Sequence, residues 1–517
     1  MFLSSLVSAI RQVTPVSVRE GRDPETVRVC DITEDSRTVV PGSLFVARSG
    51  LKSDGRKFAA DAIALGAVAV LTDDDSLCFH SIPVLHCHDI MLGAAIAAEH
   101  FYGHASHKLS LIGVTGTNGK STITYLAWKL MNAAGARTGL IGTVMIDDGR
   151  EVARAVMTTP PAIELSRTFA TMAESGCIAA AMEVSSHALD QRRVGAFKFR
   201  IGAFTNLTGD HLDYHKTMEN YAAAKAKLFD SLPVDGLAIV NADDAAFTRM
   251  IRDCKARVLR CHTGPGESGE GIARVETLSR SIRGMRLRMR GPWGMIEGDV
   301  ALIGDYNAMN VLQAVACAHA SGLSAQQIQA ALCTLDAPPG RLQRVSPEDS
   351  DITVFVDFAH TDDALTNVLR ETGKVMEGRT RSDGPKLWAV FGCGGDKDRT
   401  KRPRMGKAAA EHANRIVVTS DNPRTEAPNA IIDEILSGIA PTDRLRVDVQ
   451  ENRARAISFA IHEAKSGDVI ILAGKGHENT QILSDGKGGT LATPFDEPAI
   501  AREAIALRLA QKKETAS

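Results

Sequence analysis

The chain has 517 residues, with 60 lysines and arginines against 62 aspartates and glutamates, and a formal net charge of −2. At about 150 residues per domain, this length predicts three or four domains. Hydrophobic residues make up 44% of the chain and charged residues 24%, which excludes a mostly disordered or collagen-like protein. A nearly neutral chain also excludes a global cationic surface for nucleic acid, although a local basic patch stays open.

The cysteines and the N-terminus indicate where the protein works. Nine cysteines are scattered without a CxxC pair, and this odd number argues against a disulfide framework or a zinc cluster. Arg11 interrupts the apolar N-terminal stretch, and no run of about 18 apolar residues occurs, so neither a secretory signal nor a membrane span is expected. We therefore expect a cytoplasmic protein without a membrane partner.

The first hundred residues alternate short strand-like runs, such as SLFVA and PVLHC, with helical windows such as MLGAAIAAEHFYG. This pattern predicts a small α/β domain over residues 1–103. A second domain, 104–336, opens with the strand-like run LSLIGVTG and continues as alternating apolar runs and helical windows, the signature of βαβ units and a mostly parallel sheet.

One part of the second domain has a different pattern. Residues 274–304 alternate in polarity and contain the turn signal GPWG, which predicts an antiparallel hairpin with one solvated face. Five arginines lie between positions 280 and 290. Their period of two favours a solvated strand face over a nucleic-acid patch.

The segment APPGR at 337–341 breaks the preceding pattern, because two prolines and a glycine continue neither a helix nor a ladder. Beyond it, five strand candidates, ITVFVDF, KLWAVFG, RIVVTSD, RLRVDV and DVIILAG, are separated by helical windows. We predict a third domain, 337–517, of the Rossmann-like doubly wound kind.

The clearest local motif is LIGVTGTNGKST at 111–122, in which a strand leads into glycines, a lysine and two hydroxyls at a helix start. Such a loop binds phosphates through backbone N–H groups and the helix N-terminus, with Lys120 on a terminal phosphate and Ser121 on Mg²⁺. The strict GxxxxGK[ST] pattern is not met, because Gly113 lies one residue too far from Gly119. The motif predicts a nucleotide site without deciding the reaction.

Two polar clusters each follow a predicted strand in the same domain. MEVSSHAL contains Glu183, and TNLTGDHLDYH contains His211. Carboxylate and imidazole groups at strand ends near a phosphate loop suit a phosphate-bridging cation, although each could instead be a cap, a turn or a satisfied polar group.

Ten motifs resemble, in order, those of the Mur ligase family, most closely its diaminopimelate-adding members: TGTNGKST, EVSSHAL, TNLTGDHLDYH, YAAAKAKLF, GDYNAMN, GRLQ, VDFAHT, GCGGDKDRTKRP, DNPR and AGKGHE. The resemblance implies an α/β, three-domain Mur ligase architecture with a central P-loop parallel-sheet ATPase domain. It also implies an amide-forming ligase that uses ATP and Mg²⁺ to activate a substrate carboxylate as an acyl phosphate. The implied substrates are UDP-N-acetylmuramoyl-L-alanyl-D-glutamate and meso-diaminopimelate.

The resemblance assigns roles to residues of the first two domains and the adjoining junction. The catalytic residues would be Lys120, Lys225 and His211. Metal ligands would be Ser121, Glu183, His211 and Lys225, the last as a carbamate (N6-carboxylysine), although Lys225 taken alone predicts an exposed helical lysine. ATP would contact Gly116, Thr117, Asn118, Gly119, Lys120, Ser121, Thr122, Asn307, Arg341 and Asp357. The uridine-linked substrate would contact Ser36, Leu51, Lys52, Ser53, Thr158, Thr159, Ser185, Gln191 and Arg193.

Thr158 and Thr159 have a second interpretation from their local sequence. TTP before a helical window is also typical of a helix cap followed by a proline start, and the two interpretations are compatible.

The incoming amino acid would contact the third domain at Lys397, Asp421, Asn422, Pro423, Arg424, Gly474 and Glu478. Arg424 could bind the distal carboxylate of diaminopimelate in a bidentate manner, whereas lysine would present an ammonium group to it. Lys397 stands where such ligases usually have arginine, which removes the planar guanidinium fork at that position.

Several alternatives remain open. A ligase of the same class could add lysine or D-Ala-D-Ala, or act as a folylpolyglutamate synthase; a P-loop switch would hydrolyse ATP without a small acceptor. We expect a monomer that binds no nucleic acid.

Overall fold

The computed structural model of this protein describes residues 1–19, 21–50, 53–376 and 384–516. In that part of the chain, the strands form sheets of five, eleven, six and two strands. None of the nine cysteines, all of which are described, forms a disulfide bond. Among the described residues, no helix combines the length and the apolar character that crossing a bilayer requires.

The first sheet has the strand order β1-β5-β4-β3-β2, and β1 runs antiparallel to its parallel neighbours. Its strands are β1 Val16–Arg19, β2 Asp31–Thr33, β3 Ser43–Ala47, β4 Ala69–Thr72 and β5 Val84–Cys87, and its helices are α1 Leu3–Arg11, α2 Ala59–Ala64 and α3 Ile90–Phe101. Buried residues Leu3, Leu6, Val7 and Ile10 lie on one face of α1 because they follow the helical repeat. The predicted α/β character of this region is confirmed, while β1 and α1 were not predicted.

The central sheet contains eleven strands in the order β16-β15-β14-β13-β12-β11-β6-β10-β7-β8-β9. Its strands are β6 Ser110–Thr115, β7 Thr138–Ile141, β8 Met145–Asp147, β9 Val152–Arg154, β10 Ala179–Glu183, β11 Ile201–Phe204, β12 Leu237–Asn241, β13 Arg257–Thr263, β14 Ile272–Ser281, β15 Gly284–Gly291 and β16 Gly294–Val300. Its helices are α4 Lys120–Ala133, α5 Ala162–Glu174, α6 Ser186–Asp190, α7 Leu212–His215, α8 Met218–Asp230, α9 Phe247–Met250, α10 Asp305–Ala320 and α11 Ala325–Ala331. Strands β6, β7 and β10 to β14 pair in parallel. The mostly parallel sheet is confirmed, with β6 and β10 to β13 at the predicted apolar runs, whereas β7, β8 and β9 were not predicted.

Helices cover the central sheet on both faces, and alternate residues of each strand therefore enter different cores. On β6, Ile112 and Val114 belong to the core beneath α4 and α10, whereas Leu111 belongs to the core beneath α5 and α8. Burial on both faces explains why these strands appear in the sequence as continuous apolar runs.

The predicted hairpin is confirmed by β15 and β16, which pair antiparallel on either side of the GPWG turn. β14 adds a third antiparallel strand beside β15. Arg286 and Arg288 on β15 form ion pairs with Glu297 on β16, and Arg280 pairs with Asp305. The arginines therefore lie on an internally neutralised, solvated face, as their period of two predicts.

The third sheet has the order β17-β18-β22-β19-β20-β21, with only its edge strand β17 antiparallel. Its strands are β17 Gln343–Arg344, β18 Thr353–Asp357, β19 Leu387–Phe391, β20 Arg415–Val418, β21 Val447–Val449 and β22 Val469–Ala473. Its helices are α12 Asp362–Met376, α13 Lys401–His412, α14 Pro428–Ser437, α15 Arg453–Glu463 and α16 Glu497–Ala516. A separate hairpin, β23 Thr480–Ser484 with β24 Thr490–Pro494, precedes α16. The five predicted strands are present, and β17, the hairpin and α16 were not predicted.

A buried ion pair fixes α16 to this sheet. Nη2 of Arg453 lies 2.7 Å from Oε1 of Glu497, and both side chains are fully buried. The same nitrogen donates to the Ala473 carbonyl at 2.8 Å, which ties α15, α16 and β22 together. Because Glu497 has no exposed surface, removing its partner leaves a buried charge.

Replacing Arg453 with Ala should lower the free energy of unfolding of the third domain by about 3–5 kcal/mol. Denaturant titration measures the loss in the free energy of unfolding. Hydrogen exchange of the peptide that contains β22 shows whether the loss lies in the third domain. As a control, Arg150→Ala breaks a pair with Glu174 whose side chains are 60% and 68% exposed, and it should change stability little. Equal losses in the two variants would contradict the structural role given to Arg453.

Candidate active site

The phosphate-loop motif lies between β6 and α4, at the carboxyl end of the central sheet. Gly116 has φ 147° and Gly119 has φ 85°, both in the region that favours glycine. A Cβ atom on Gly116 would lie 1.8 Å from Oγ1 of Thr205, so the close approach of β11 also requires glycine here. The backbone N–H groups at the start of α4 are thereby free of side-chain obstruction.

Two lysines converge on this loop. Nζ of Lys120 donates to the carbonyls of Gly116 at 3.0 Å and Thr117 at 2.8 Å. Nζ of Lys225, from α8, donates to the same Gly116 carbonyl at 2.7 Å. Desolvation lowers the pKa of both amines, and for Lys225 burial together with the nearby Lys120 lowers it to about 6.

The interpretation of Lys225 as an exposed helical lysine is therefore wrong. Its side chain is 1% exposed, and its Nζ lies 4.3 Å from the Tyr221 ring centroid. Three alanines precede it and one follows it in the sequence, and these small side chains let α8 pack closely beside β6, which buries the amine.

Glu183 ends β10 beside the loop and is 1% exposed. Its carboxylate accepts hydrogen bonds from Ser121 Oγ at 3.0 Å, from the Thr143 amide at 2.6 Å and from Thr143 Oγ1 at 3.0 Å. The structure thus brings together the predicted Ser121 and Glu183. Carboxylate and hydroxyl oxygens next to a phosphate loop form a donor set that suits a hard divalent cation.

His211 is half exposed and has a left-handed backbone, with φ 53°. Its Nε2 lies 3.5 Å from Asp210, and its ring packs edge-on against His187 at 4.8 Å between centroids. No hydrogen bond joins His211 to Glu183 in the described part of the chain. The structure therefore places His211 in a neighbouring cluster of aromatic and imidazole rings.

A hydrogen-bonded network extends from Glu183 toward the first sheet. Thr159 Oγ1 donates to the Glu183 carbonyl at 2.9 Å, and Arg193 Nη1 donates to the Thr159 carbonyl at 2.8 Å. The Arg193 guanidinium also forms a forked contact with Gln191 Oε1 at 3.1 and 2.7 Å. Ser185 lies 3.3 Å from Thr159, so these four predicted residues form one connected group.

Thr158 joins the same group through a 3.1 Å contact with Thr143. The helix-cap interpretation of the two threonines is wrong, because α5 begins at Ala162 after Pro161 and receives no side-chain cap.

The first sheet contributes a residue that the sequence analysis missed. Burial is the main cause that lowers the pKa of Arg193, and the second is Arg48, which follows β3. Arg48 pairs with Glu34 at 2.8 Å. Ser36 lies in the 3-10 turn that follows β2 and Ser53 is exposed, whereas Leu51 and Lys52 lie outside the described residues. The sequence signal that could have identified Arg48 was its position directly after the predicted strand SLFVA.

The junction to the third domain contributes Asn307, Arg341 and Asp357. Asn307 donates to the Ile303 carbonyl at 2.7 Å, and its Oδ1 accepts from Asn310 at 2.8 Å. The Asp357 carboxylate accepts from the amides of Leu342 and Ala359, both at 2.7 Å, while burial raises its pKa. Arg341 lies over the Phe358 ring at 5.0 Å. Desolvation is the main cause that lowers the pKa of Lys120, and the charge of Arg341 lowers it further.

At the carboxyl ends of β20 and β22, several of the predicted third-domain residues belong to one polar cluster. Asn422 Nδ2 donates to Glu478 Oε2 at 3.1 Å. Lys475, fully buried and not predicted, donates to Asn422 Oδ1 at 2.9 Å and lies 3.4 Å from Asp421 and 3.5 Å from Glu478. Gly474, with φ 114°, follows β22, and Pro423 continues the chain from Asn422 toward Arg424.

Arg424 has φ 53° and donates to the Gly395 carbonyl at 2.7 Å. Lys397 is exposed and follows this glycine in the facing loop, where Gly394 would place a Cβ 3.8 Å from its Cγ. The facing loop thus places Lys397 beside the residues that Arg424 contacts.

A buried arginine that the sequence analysis missed holds these two loops in place. Arg402, at the start of α13, is fully buried and bonds Glu426 through both terminal nitrogens, at 3.0 and 2.7 Å, and the Gly394 carbonyl at 3.2 Å. Glu426 in turn accepts from the Asp396 amide at 2.6 Å, and Asp396 accepts from Thr425 Oγ1 at 2.7 Å. The motif KRP gave no signal that its arginine is internal.

The fold and the site define a three-domain α/β protein with a nucleotide-phosphate loop in its central domain. Family models for the Mur ligase family catalytic domain, the Mur ligase middle domain and the Mur ligase glutamate ligase domain match residues 29–108, 114–318 and 340–476. The chain belongs to the Mur ligase family.

Individual relatives support the same family assignment. UDP-N-acetylmuramoyl-L-alanyl-D-glutamate--2,6-diaminopimelate ligases from Synechococcus elongatus and Chlorobium phaeobacteroides are 42% and 41% identical, over 98% and 92% of this chain and 99% and 93% of the relative. A solved structure of a ligase with the same name is 32% identical, with a TM-score of 0.69 over 95% of this chain and 97% of that one. A Mycobacterium tuberculosis folylpolyglutamate synthase complexed with ADP shares the fold at 20% identity, with a TM-score of 0.56 over 74% of this chain and 91% of that one.

Replacing Gly116 with Ala should lower ATP affinity at least tenfold, because the added methyl group collides with Thr205 and the φ value is strained for alanine. Isothermal titration with a non-hydrolysable ATP analogue measures the change. The matched control is Gly135→Ala, at φ 85° with open space around the new Cβ, which should keep ATP affinity. Similar affinities for the two variants would show that the loop tolerates a side chain at Gly116.

Proposed function

We propose that this chain is an ATP-dependent ligase that joins meso-diaminopimelate to the γ-carboxylate of D-glutamate in UDP-N-acetylmuramoyl-L-alanyl-D-glutamate, a step of cytoplasmic peptidoglycan precursor synthesis. Membership of the Mur ligase family and relatives of 41–42% identity that are named for this activity support the class of reaction. The observation that carries the choice of amino acid is the third-domain polar cluster of Asn422, Glu478 and buried Lys475. Arg424 adjoins this cluster through a 3.5 Å contact of its Nη1 with the Asn422 carbonyl.

The proposed reaction has two steps. The substrate carboxylate attacks the γ-phosphorus of ATP, which forms an acyl phosphate and releases ADP. The deprotonated amine then attacks the acyl carbon, and phosphate leaves as the amide forms. Water must be excluded meanwhile, because it would hydrolyse the activated acyl group.

We assign ATP to the loop of residues 116–122, to Asn307 and Arg341 at the junction, and to Asp357. Backbone N–H groups at the start of α4 and the ammonium group of Lys120 would bind phosphate oxygens. Arg341 would add a second cation from the facing domain, which its effect on the pKa of Lys120 supports. The carboxylate oxygens of Asp357 accept the Leu342 and Ala359 amides, which fix the group, and their remaining acceptor sites would bind a sugar hydroxyl.

Mg²⁺ would be held by Ser121, Glu183, His211 and the carbamate of Lys225. The oxygen donors of Ser121 and Glu183 fit such an ion. When bound, Mg²⁺ neutralises phosphate charge as a Lewis acid. The neutral Lys225 amine would attack CO₂ and lose a proton, and the remaining N–H could keep its hydrogen bond to the Gly116 carbonyl.

The uridine-linked substrate would lie along the network of Thr158, Thr159, Ser185, Gln191 and Arg193. Hydroxyl and guanidinium groups suit its diphosphate and carboxylate groups. From the first domain, Ser36 and the segment Leu51, Lys52 and Ser53 would complete the contact. The cationic Arg48 supports an anionic ligand at this junction.

Diaminopimelate would bind with its distal carboxylate on Arg424 and Lys397 and its distal ammonium on Glu478, between Asp421, Asn422, Pro423 and Gly474. Such opposite pairing selects against lysine, whose side chain ends in an ammonium group alone. We place the domain boundaries after residues 103 and 336, and propose a monomer that binds neither nucleic acid nor membranes.

Phosphate release should require ATP, UDP-N-acetylmuramoyl-L-alanyl-D-glutamate and meso-diaminopimelate together, because the acyl phosphate forms on one substrate and is consumed by the other. A coupled phosphate assay with each component omitted in turn measures this requirement. Lysine is added either in competition with diaminopimelate or in its place, which tests whether the enzyme adds lysine instead. Release without both acceptors would instead support a P-loop ATPase switch.

Replacing Arg424 with Ala should raise the KM for diaminopimelate about 10- to 100-fold, the scale of one lost charge-assisted hydrogen-bonded pair. The KM values for ATP and the uridine-linked substrate should change little. Steady-state kinetics with each substrate varied gives these values. Arg455→Ala, at an exposed position of the same domain, is the control, and an unchanged KM in the Arg424 variant would contradict the assignment.

Replacing Lys225 with Arg should lower kcat at least about 100-fold, because guanidinium stays protonated and cannot form a carbamate. ATP binding should persist. The control is Lys227→Arg, two residues along α8, where an exposed Lys227 pairs with Asp190 at 2.9 Å. Removing dissolved CO₂ should slow the parent enzyme and bicarbonate should restore it; full activity of Lys225→Arg would overturn the carbamate role.

A further inference from the structure

A second cluster of metal-ligating side chains lies away from the phosphate loop, between α3 and β6. It contains Glu99, His104 and His107, whose nearest ligand atoms all lie within 4.8 Å of one another. His100 adjoins them, with its Nδ1 3.1 Å from Nε2 of His104. None of these residues has a part in the ligase chemistry derived above.

The backbone creates this convergence. After α3 ends at Phe101, Gly103 at φ 69° and His104 at φ 52° reverse the chain, and the His104 amide donates to the Glu99 carbonyl at 2.8 Å. The 3-10 turn Ala105–Lys108 then brings His107 beside His104, with ring centroids 5.4 Å apart and planes 24° apart. The left-handed His104 is thus part of how the cluster forms.

Glu99 supplies a buried anion. Its side chain is 3% exposed, and its oxygens accept from the Ser106 amide at 3.2 Å, Ser106 Oγ at 2.5 Å and Ser166 Oγ at 3.4 Å. It forms no salt bridge with any residue in the described ranges. A carboxylate has about four acceptor sites, so one remains for a cation that would compensate the buried charge.

The imidazole geometry suits a tetrahedral ion. With metal–nitrogen bonds of about 2.0–2.1 Å, neighbouring ligand nitrogens in a tetrahedron lie about 3.3 Å apart. The 3.1 Å separation of His100 and His104 is close to this value, although it also suits a single N–H···N hydrogen bond. Nε2 of His100 contacts Ser5 Oγ at 2.7 Å, the kind of outer contact that orients a ligating imidazole. His104 and His107 are both exposed, so their rings are free to rotate toward a shared ion.

We propose that Glu99, His104 and His107, whose ligand atoms converge within 4.8 Å, bind a divalent cation of the zinc class, and that His100 moves in from its contact with His104 as the fourth ligand. Nitrogen-rich donors with one carboxylate favour Zn²⁺ over Mg²⁺ or Ca²⁺, which prefer oxygen. The bound ion would cross-link the end of α3 to the turn that leads into β6, at Ser110. Ser166 on α5 would be held through Glu99, so the ion stabilises the joint between the first and central sheets.

Titration of the chelator-treated full chain with ZnCl₂, in excess MgCl₂ and ADP to occupy the phosphate loop, tests the proposal. We expect one zinc equivalent per chain and an affinity at least about 100-fold lower in the double variant His104→Ala/His107→Ala. The matched control is His462→Ala, an exposed imidazole 3.3 Å from Glu463, which should bind zinc like the parent.

Both histidines of the double variant are exposed, so ligase activity without zinc and the far-UV circular dichroism spectrum should match those of the parent. X-ray absorption at the zinc edge should show nitrogen and oxygen ligands with imidazole scattering. Absence of stoichiometric binding, equal affinity in the double variant, or sulfur ligation from one of the cysteines would each overturn the proposal.

Discussion

One backbone carbonyl, that of Gly116, organises the centre of the molecule. It accepts hydrogen bonds from Lys120 and Lys225, two amines withdrawn from water. Two ammonium groups on one acceptor repel each other, and desolvation disfavours the charge of both. The arrangement is stable when one amine is neutral or when anions enter, so the free site is prepared for the phosphates and carboxylates of its substrates.

The other domains extend this electrostatic arrangement. Arg341 approaches Lys120 from the third domain, and Arg48 approaches Arg193 from the first. Glu183 adds a buried carboxylate near Lys120, so these junctions combine both signs of charge. The net charge of −2 is therefore a poor guide to ligands. Single cations and carboxylates at the domain junctions cancel in the sum over the chain, although each can act locally on a charged ligand.

The sequence predicted the parallel strands well, because strands buried on both faces are continuous apolar runs bounded by glycines. It missed β1, β8, β9, β17 and the hairpin β23–β24, which are short edge or surface strands without that signature. It also missed the buried parallel strand β7, which has only four residues. It also predicted that Lys225 is exposed. That prediction failed because the helical pattern of α8 does not reveal that its alanines pack beside β6 and bury the lysine. Motif matching found side chains at strand ends such as Glu183, but not Arg402, whose role depends on contacts between distant loops.

Positive φ values at Asp396 and Arg424 show why such supports matter for specificity. Each conformation is unfavourable for a residue with a side chain, and the surrounding structure must hold it. Arg402 does so through Glu426, which fixes the Asp396 amide, and Asp396 in turn binds Thr425. This buried network, and not the side chain at position 397, sets the position of the loop. Lysine in place of the usual arginine at 397 therefore changes the cationic group that faces an acidic ligand, while the loop and Arg424 keep their positions.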